Sequence, residues 1–334
     1  MLGAVSYRLV DAHLDLAYNA IEHGWDLGLD LPDLKTREKT PYTPSVSLPE
    51  LQAAGVALAF ATLFVDPAKY PDPELAHRAA RVQLDRYRRW QDEGRVRIVR
   101  SRSELSAHLA AWEKDRVPGL VLLMEGAEPV RRPEEVAFWA GEGVRLLGPA
   151  WQDTRYAGGT KGKKGLTEAG RELLSAMEEA GLALDLSHLS EAAYYEALEA
   201  FSGPVLVSHA NFRPLAGGPE NRHLTADQLE ALKGRGAVVG IVLYNRFLDP
   251  EWERTDPATP RARVQKHAEA VAGVLGWEAV GIGSDMDGGF GAESLPEGIL
   301  SHKDWAKLAP LFGPHAAGVL GENWIRFLKT NLPE

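Results

Sequence analysis

Eight short apolar runs divide the chain, and they limit the possible fold more than any other feature. Each run is rich in Leu, Ala and β-branched residues and is apolar continuously rather than at alternate positions. Such runs are typical of parallel strands that are buried on both faces. The runs are Leu9–Asp15, Val56–Val65, Gly119–Glu125, Val144–Ala150, Leu182–His188, Val205–His209, Ala237–Tyr244 and Ala279–Asp285.

Helical signatures lie between most of these runs. They combine apolar residues at helical spacing with capping residues at the ends, such as Gly181 after the fourth predicted helix. The predicted helices are Pro73–Glu93, Ser103–Trp112, Pro133–Trp139, Thr167–Ala180, Ser190–Ala200, Thr225–Leu232, Pro257–Leu275, Lys303–Leu311 and His315–Leu328.

The alternation of strands and helices predicts the fold class. Eight strands followed by helices in 334 residues indicate an α/β fold, a single (β/α)8 TIM-like barrel with its active site at the C-terminal ends of the strands. A doubly wound sheet is the alternative, but it usually has a glycine-rich first turn, which Asp11–Ala17 lacks. No linker rich in Gly, Ser or Pro interrupts the chain, so residues 1–334 are predicted to form one domain.

Four long irregular stretches are expected to form loops over the C-terminal face of the barrel. Loops in that position carry the active sites of such folds. The stretches are Glu22–Ser47, Tyr156–Gly165, Phe212–Asn221 and Asp287–Leu300.

Composition excludes several classes of function. The net charge of −10 argues against binding to a phosphate backbone, and the absence of cysteine leaves only His, Asp and Glu as metal ligands. No apolar run approaches the roughly 18 residues of a membrane span, and no signal-peptide pattern opens the chain. We therefore expect no nucleic-acid partner, no membrane partner and a cytoplasmic location.

Residues that can bind metal end several of the predicted strands. His13 and Asp15 are two positions apart, so on a strand they project to the same side. Three imidazoles and three carboxylates exceed what one ion needs, which favours two divalent ions that share a bridging carboxylate and lie roughly 3.5–4 Å apart. The metal-capable residues at strand ends are His13, Asp15, Glu125, Asp185, His188, His209, Asp285 and Asp287.

Each of these residues also has an ordinary structural interpretation. His188 and His209 could be hydrogen-bonded core histidines, Glu125 a helix cap or an arginine partner, and Asp285 and Asp287 turn residues. All these interpretations would have to hold at once, each leaving a polar group near the barrel core, and the metal site is therefore favoured. The other histidines at loop or helix positions are predicted to be solvated, namely His23, His77, His108, His267, His302 and His315.

The motifs, taken together, identify a family. The chain resembles the membrane (renal) dipeptidase family, the M19 metallopeptidases of the amidohydrolase superfamily. The matching segments occur in family order over nearly the whole length. They are Asp11–Leu16, Glu125–Gly126, Gly165–Arg171, Leu184–His188, Ser208–Asn211, Arg222–Thr225, Gly281–Gly288 and Gly321–Trp324.

The resemblance implies a binuclear zinc site and a mechanism. By the family pattern, Glu125 would bridge the ions, and a bridging hydroxide would attack the scissile carbonyl. Asp285 would carry the proton from the water to the leaving amine, with Glu125 as the rival for this role. One ion would be held by His13, Asp15 and Asp285, and the other by His188 and His209.

The resemblance also implies a substrate. Arg222 matches the family's arginine for the carboxylate of a free dipeptide. Tyr244 is either a wall of the binding pocket or an ordinary packed tyrosine. Trp151 stands near the place where animal-type relatives carry a histidine that helps to bind the carbonyl oxygen, which leaves the source of oxyanion stabilisation open.

Three functions follow from these residues. The first is a zinc dipeptidase that cleaves small dipeptides, including those with a C-terminal D-residue. The second is a binuclear hydrolase of another amide or ester, such as an N-acyl amino acid or a lactone. The third is a non-enzymatic partner scaffold, against which the retention of all six ligands argues. A homodimer is the expected assembly, because members of the family are commonly dimeric.

Overall fold

The computed structural model describes residues 7–37 and 42–334. Every one of the eight apolar runs contains a strand, as predicted, and Arg97–Ile98 adds a short strand that the pattern did not show. The strands are β1 Leu9–Leu14, β2 Val56–Phe64, β3 Arg97–Ile98, β4 Gly119–Glu125, β5 Val144–Gly148, β6 Ala183–Asp185, β7 Val205–Leu206, β8 Val239–Ile241 and β9 Val280–Ile282.

The strands form a curled parallel sheet. Its order is β1-β2-β4-β5-β6-β7, with β3 beside β4, and β8 pairs separately with β9. A single parallel bridge between Val207 and Val239 connects β7 to β8. The α/β class and the parallel sheet are confirmed, whereas complete closure into eight strands and the single-domain organisation of residues 1–334 stay predictions.

Burial on both faces explains why the apolar runs form this sheet. Every residue of β1, β2 and β4 is buried, so neither face of these strands meets water. Seven consecutive pairs join β2 to β4, from Leu58 opposite Gly119 to Phe64 opposite Glu125. Because the strands are parallel and in register, their C-terminal ends lie at one edge, and the polar residues that end them meet there.

Helices cover the outside of the sheet. The α-helices are α1 Leu16–Glu22, α2 Leu31–Arg37, α3 Leu48–Ala54, α4 Pro73–Asp92, α5 Arg102–Asp115, α6 Val136–Gly141, α7 Glu168–Glu179, α8 Glu191–Ala200, α9 Ala226–Ala231, α10 Asn245–Leu248, α11 Ala262–Leu275, α12 Ala309–Phe312 and α13 Asn323–Asn331. The predicted cap of α9 is confirmed, since Thr225 and Gln228 form a reciprocal capping box.

Four predicted helices differ from the observed ones. The first turn of the helix expected over Pro133–Trp139 is a 3-10 helix, Pro133–Glu135, and α6 begins at Val136. The helix expected over Pro257–Leu275 begins only at Ala262, because Pro257 and Pro260 disfavour helical backbone in the residues before them. Lys303–Leu311 is largely a 3-10 helix, His302–Lys307, and His315–Leu328 is divided between a π-turn at Gly318–Glu322 and α13.

Four histidines that were predicted to be solvated are buried, so that prediction was wrong for them. They are His77, His108, His267 and His302, at most 7% exposed. Three of them bond to backbone carbonyl oxygens, as in the 2.8 Å contact from His108 Nε2 to Ala57 O. His302 instead bonds to a buried carboxylate, described below. His315 is exposed, as predicted.

Within the two described ranges, no helix is both long enough and apolar enough to cross a bilayer.

Candidate metal centre

Glu125, the last residue of β4, stands at the centre of the strand-end cluster. Its Oε2 lies 3.3 Å from His13 Nε2. Its Oε1 lies 3.1 Å from His188 Nε2 and 3.4 Å from His209 Nε2. One carboxylate therefore faces imidazoles on both sides, an arrangement typical of a ligand shared by two ions.

Two groups of candidate ligands share His13. In the first, His13 Nε2 lies 3.8 Å from Asp15 Oδ1 and 4.0 Å from Asp285 Oδ1. In the second, ligand atoms of His13, Glu125 and His209 lie within 4.8 Å of one another. His188 adjoins this second group, because its Nε2 is 2.9 Å from His209 Nε2. The structure thus brings all six predicted ligands into one cluster.

The ring nitrogens of the histidines support metal binding. Both ring nitrogens of His13 are buried and lack a hydrogen-bond partner among the described residues. In His188 and His209 the Nδ1 atoms are each 2.7 Å from a hydroxyl, of Thr160 and Ser208 respectively. Their Nε2 atoms consequently face each other and Glu125. Because unpartnered buried nitrogens are costly, the donor set fits divalent cations.

Burial shifts the pKa values of the cluster. A bound cation would oppose the shift of the carboxylates and reinforce the shift of the imidazoles. Desolvation, reinforced by neighbouring carboxylates, raises the pKa of Glu125 to about 8, of Asp285 to about 7 and of Asp15 to about 6. Desolvation also lowers the pKa of His188 and of His209 well below the usual value. Bound cations would favour ionised carboxylates and neutral imidazoles, which are the forms that coordinate metal.

Arg222 places a cation beside the cluster. Its side chain is 4% exposed, and Nη1 donates a 2.5 Å hydrogen bond to His209 O. Its Nη2 lies 3.5 Å from Asp285 Oδ2 and makes no hydrogen bond to any described residue. The guanidinium therefore pairs with Asp285, one of the candidate ligands.

Comparison with known proteins assigns the family. A sequence model of the membrane dipeptidases, peptidase family M19, matches residues 4–330. The chain belongs to this family. It is accordingly a metal-dependent dipeptidase, a hydrolase, as the family resemblance implied.

Several relatives and solved structures are similar to the enzyme. An uncharacterized protein in the pqqA 5′ region of Klebsiella pneumoniae is 30% identical over 257 residues, which cover 71% of this chain and 89% of the relative. An uncharacterized dipeptidase of Schizosaccharomyces pombe is 32% identical over 151 residues, 44% of this chain and 33% of the relative.

The fold recurs in solved structures. A metallo peptidase from Rhodobacter sphaeroides, liganded with a phosphinate mimic of the dipeptide L-Ala-D-Ala, has a TM-score of 0.82 and 22% identity, with 98% of this chain and 100% of that chain covered. A dipeptidase described as a member of family M19 has a TM-score of 0.84 and 23% identity, with coverage of 99% and 100%.

A cavity of about 450 Å³ opens above the cluster of candidate ligands. Trp151 and Tyr244 both line it, on walls that also include unpredicted aromatic residues. Trp151 contacts Phe64 edge-on with ring centroids 5.1 Å apart, and Tyr244 stacks on Phe290 at 4.2 Å. Each of the four predicted loop stretches contributes to the lining, through residues such as His23, Thr160, Pro219 and Phe290.

Asp287, predicted as a metal-capable strand-end residue, belongs to neither ligand group, and its carboxylate accepts hydrogen bonds from Ser45 N, Ser45 Oγ and Val46 N. Sequence reasoning also missed several residues of the site. Thr62 of β2 donates a hydrogen bond to Asp15 Oδ1. No motif in the sequence signals these contacts, because each joins distant segments. Tyr18, Tyr42, Asp66 and Phe247 also line the cavity unpredicted.

Proposed function

We propose that the enzyme is a binuclear zinc dipeptidase that hydrolyses small free dipeptides, including those with a C-terminal D-residue. The observation that carries this proposal is the position of Glu125, whose two carboxylate oxygens face His13 on one side and His188 and His209 on the other. A single carboxylate between two donor groups suits two ions better than one.

The donor chemistry suggests how the ions would be held. His13, Asp15 and Asp285 would bind one ion, His188 and His209 the other, and Glu125 both. Imidazole and carboxylate ligands suit zinc, although they also accept manganese or cobalt. When bound, such ions lower the pKa of a water molecule towards neutrality and polarise a carbonyl oxygen.

Asp285 is proposed to move the proton of the reaction. It lies within the cluster beside Arg222, which favours its ionised form, so it can accept a proton from water. It would then return that proton to the leaving amine, as general acid–base catalysis requires. Glu125 is the rival for this role, because it too lies at the centre of the site.

Arg222, whose side chain lines the cavity, is proposed to bind the α-carboxylate of the dipeptide. Arg222→Ala is therefore expected to lower kcat/KM for free dipeptides about 100-fold, the equivalent of roughly 2–3 kcal/mol of charge-assisted hydrogen bonding. Steady-state kinetics with a dipeptide and with its C-terminal amide would check this. The amide lacks the carboxylate, so its already low rate should change little.

A matched control is Arg213→Ala. Arg213 lies on a neighbouring loop and pairs with Glu191 at 2.8 Å, outside the cavity. Its loss is expected to leave kcat/KM unchanged. An Arg222→Ala enzyme that cleaves free dipeptides at the wild-type rate would contradict the assignment.

The experiment that tests the function combines metal analysis with a substrate panel. Purified enzyme would be assayed for metal content per chain and for cleavage of L-Xaa-L-Xaa and L-Xaa-D-Xaa dipeptides before and after chelation. We expect close to two ions and cleavage that chelation abolishes and zinc restores. Two bound ions together with cleavage of only N-acyl amino acids or lactones would show that the substrate is not a dipeptide. Absence of any metal binding would refute the proposed metal centre. The homodimer and the cytoplasmic location stay predictions.

A further inference from the structure

Asp185, the last residue of β6, accepts four hydrogen bonds although it is only 2% exposed. Its Oδ1 accepts from Ser187 N at 3.1 Å, Ser187 Oγ at 2.8 Å and Ser208 N at 3.0 Å. Its Oδ2 accepts from Ser208 Oγ at 2.5 Å. A carboxylate has about four acceptor sites, so its hydrogen-bonding capacity is filled.

Asp11, within β1, repeats this arrangement beside His13. It is fully buried. Its Oδ1 accepts from His13 N at 3.3 Å and Ser284 N at 2.8 Å, and its Oδ2 accepts from Ser284 Oγ at 2.5 Å and His302 Nε2 at 2.7 Å. In both cases, therefore, one serine gives its N–H to Oδ1 and its hydroxyl to Oδ2.

The two serines occupy equivalent places next to candidate ligands. Ser208 directly precedes His209, and Ser284 directly precedes Asp285. Each aspartate thus fixes the backbone of the neighbouring strand end immediately before a metal-binding side chain. We refer to these units as the Asp185–Ser208 pair and the Asp11–Ser284 pair.

The pairs also hold candidate ligands in an unfavourable backbone conformation. His188 has a φ of 69° and Asp285 a φ of 60°, in the left-handed region that few residues other than glycine adopt. Ser187, which precedes His188, donates its N–H to Asp185, and Ser284, which precedes Asp285, donates its N–H to Asp11. Backbone held in this region is typical of functional sites where surrounding contacts impose it.

The Asp185–Ser208 pair further sets the protonation pattern of His209. The Ser208 hydroxyl donates its proton to Asp185 Oδ2. The Ser208 oxygen, 2.7 Å from His209 Nδ1, must then accept the Nδ1 proton. His209 Nε2 is left without a proton and faces Glu125, as metal coordination requires.

We propose that Asp185 and Asp11 are two equivalent positioning residues, each of which, through its serine, controls the affinity of one metal ion of the centre. The Asp185–Ser208 pair would serve the ion held by His188 and His209. The Asp11–Ser284 pair would serve the ion held by His13, Asp15 and Asp285. This inference rests on the two-ion function proposed above.

Removal of the serine hydroxyls tests the proposal. Ser208→Ala and Ser284→Ala are each expected to weaken one zinc-binding step roughly 10–100-fold and to leave the other unchanged. Zinc affinities would be measured by competition with a chromophoric chelator, and metal content by elemental analysis. Ser294→Ala is the matched control, since Ser294 is equally buried and its hydroxyl has no hydrogen-bond partner among the described residues.

Double variants identify which ion each pair serves. Adding His188→Ala to Ser208→Ala should leave the second zinc-binding step unchanged, because both changes affect the same ion. Adding Asp15→Ala to Ser208→Ala should instead weaken both binding steps. A general weakening of the fold would not produce this selectivity, since it would affect both binding steps in every variant.

Asp185→Asn provides a second test if an alanine variant does not fold. Two backbone N–H groups donate to Oδ1, so the amide oxygen of asparagine must stay there and its NH2 must face Ser208 Oγ. Ser208 would then donate to His209 Nδ1 and move the imidazole proton to Nε2. We expect the zinc ion held by His188 and His209 to bind at least about 10-fold more weakly, although asparagine retains the shape of the Asp185 side chain.

The outcomes separate the two proposals. Wild-type enzyme that binds two ions, together with alanine and asparagine variants of unchanged zinc affinity, would overturn the positioning roles and leave the proposed function intact. Equal weakening of both binding steps in both serine variants would also overturn them. Wild-type enzyme that binds fewer than two ions would overturn the proposed two-ion function and this inference with it.

Discussion

Glu125→Gln is expected to lower kcat/KM at least about 1,000-fold and to reduce the metal content below two ions per chain. Glutamine keeps the shape of the side chain but has one acceptor oxygen, and its NH2 group would point at an ion on one side. The charge that faces His13, His188 and His209 would also be lost. Elemental analysis and dipeptide kinetics on the same preparation would measure both effects.

Glu128→Gln is the matched control for this substitution. Glu128 is also buried, and desolvation raises its pKa to about 8, as for Glu125. Both of its carboxylate oxygens lack hydrogen-bond partners among the described residues, and it belongs to neither ligand group. We expect near wild-type activity and metal content from Glu128→Gln. Two ions and more than about a tenth of the activity in Glu125→Gln would contradict the bridging role.

Removal of the metal is expected to abolish dipeptide cleavage and to make the free energy of unfolding fall as the pH rises. In metal-free enzyme, the pKa values of Asp15, Asp285 and Glu125 are raised to about 6, 7 and 8. At a pH between its pKa in the unfolded state and its pKa in the folded state, each of these groups binds more protons in the folded state than in the unfolded state. The stability it contributes is present below the unfolded pKa and is lost as the pH rises through the folded pKa.

The histidines act in the opposite direction, but only at lower pH. The pKa values of His188 and His209 are lowered by burial, so their titration stops affecting stability above the unfolded value of about 6.5. From about pH 6.5 to about pH 8.5 the free energy of unfolding of chelated enzyme should therefore fall, and Asp15, Asp285 and Glu125 together should contribute about 3 kcal/mol to this fall. Denaturant unfolding with chelator present, at several pH values in this window, would measure it.

Two comparisons make this result specific. Zinc-loaded enzyme should show a much smaller fall, because the ions keep Asp15, Asp285 and Glu125 ionised and only Asp287 and Glu128, which lie outside both ligand groups, still titrate. Chelated Glu125→Gln should show a shallower fall than chelated wild-type enzyme, since the contribution of Glu125 is gone while those of Asp285, Asp287 and Glu128 continue. If the free energy of unfolding of chelated wild-type enzyme rises between about pH 6.5 and about pH 8.5, the burial of unpaired carboxylates is refuted.

Continuous apolarity made the strands predictable. A strand buried on both faces has to be apolar at every position, so all eight runs were recognisable, including β7, which has only two residues. The two-residue strand Arg97–Ile98 was not recognisable, because it is half-buried and its pairing to β4 comes from tertiary contact. The predicted helix boundaries were wrong where prolines or a 3-10 or π conformation changed the backbone, as before Ala262.

The buried histidines illustrate a different limit. A histidine on a helix gives no local sign of burial, because its polar nitrogens can be satisfied by water or by a distant carbonyl oxygen. His108 bonds to Ala57, which is 51 positions away, and His302 bonds to Asp11, which is 291 positions away. Only the packed structure shows which of the two applies.

The sequence by itself determined where the eight main strands lie along the chain, which residue types end them and to which family the chain belongs. The reason is that strand burial and metal coordination restrict the residue types that these positions accept. The tertiary structure alone decided that Glu125 lies between the imidazoles, that aromatic side chains from separate loops line the cavity, and that Asp11 and Ser284, 273 positions apart, form a pair. These features depend on distances of a few ångströms between segments that are remote in the chain, and no local pattern of residues encodes such distances.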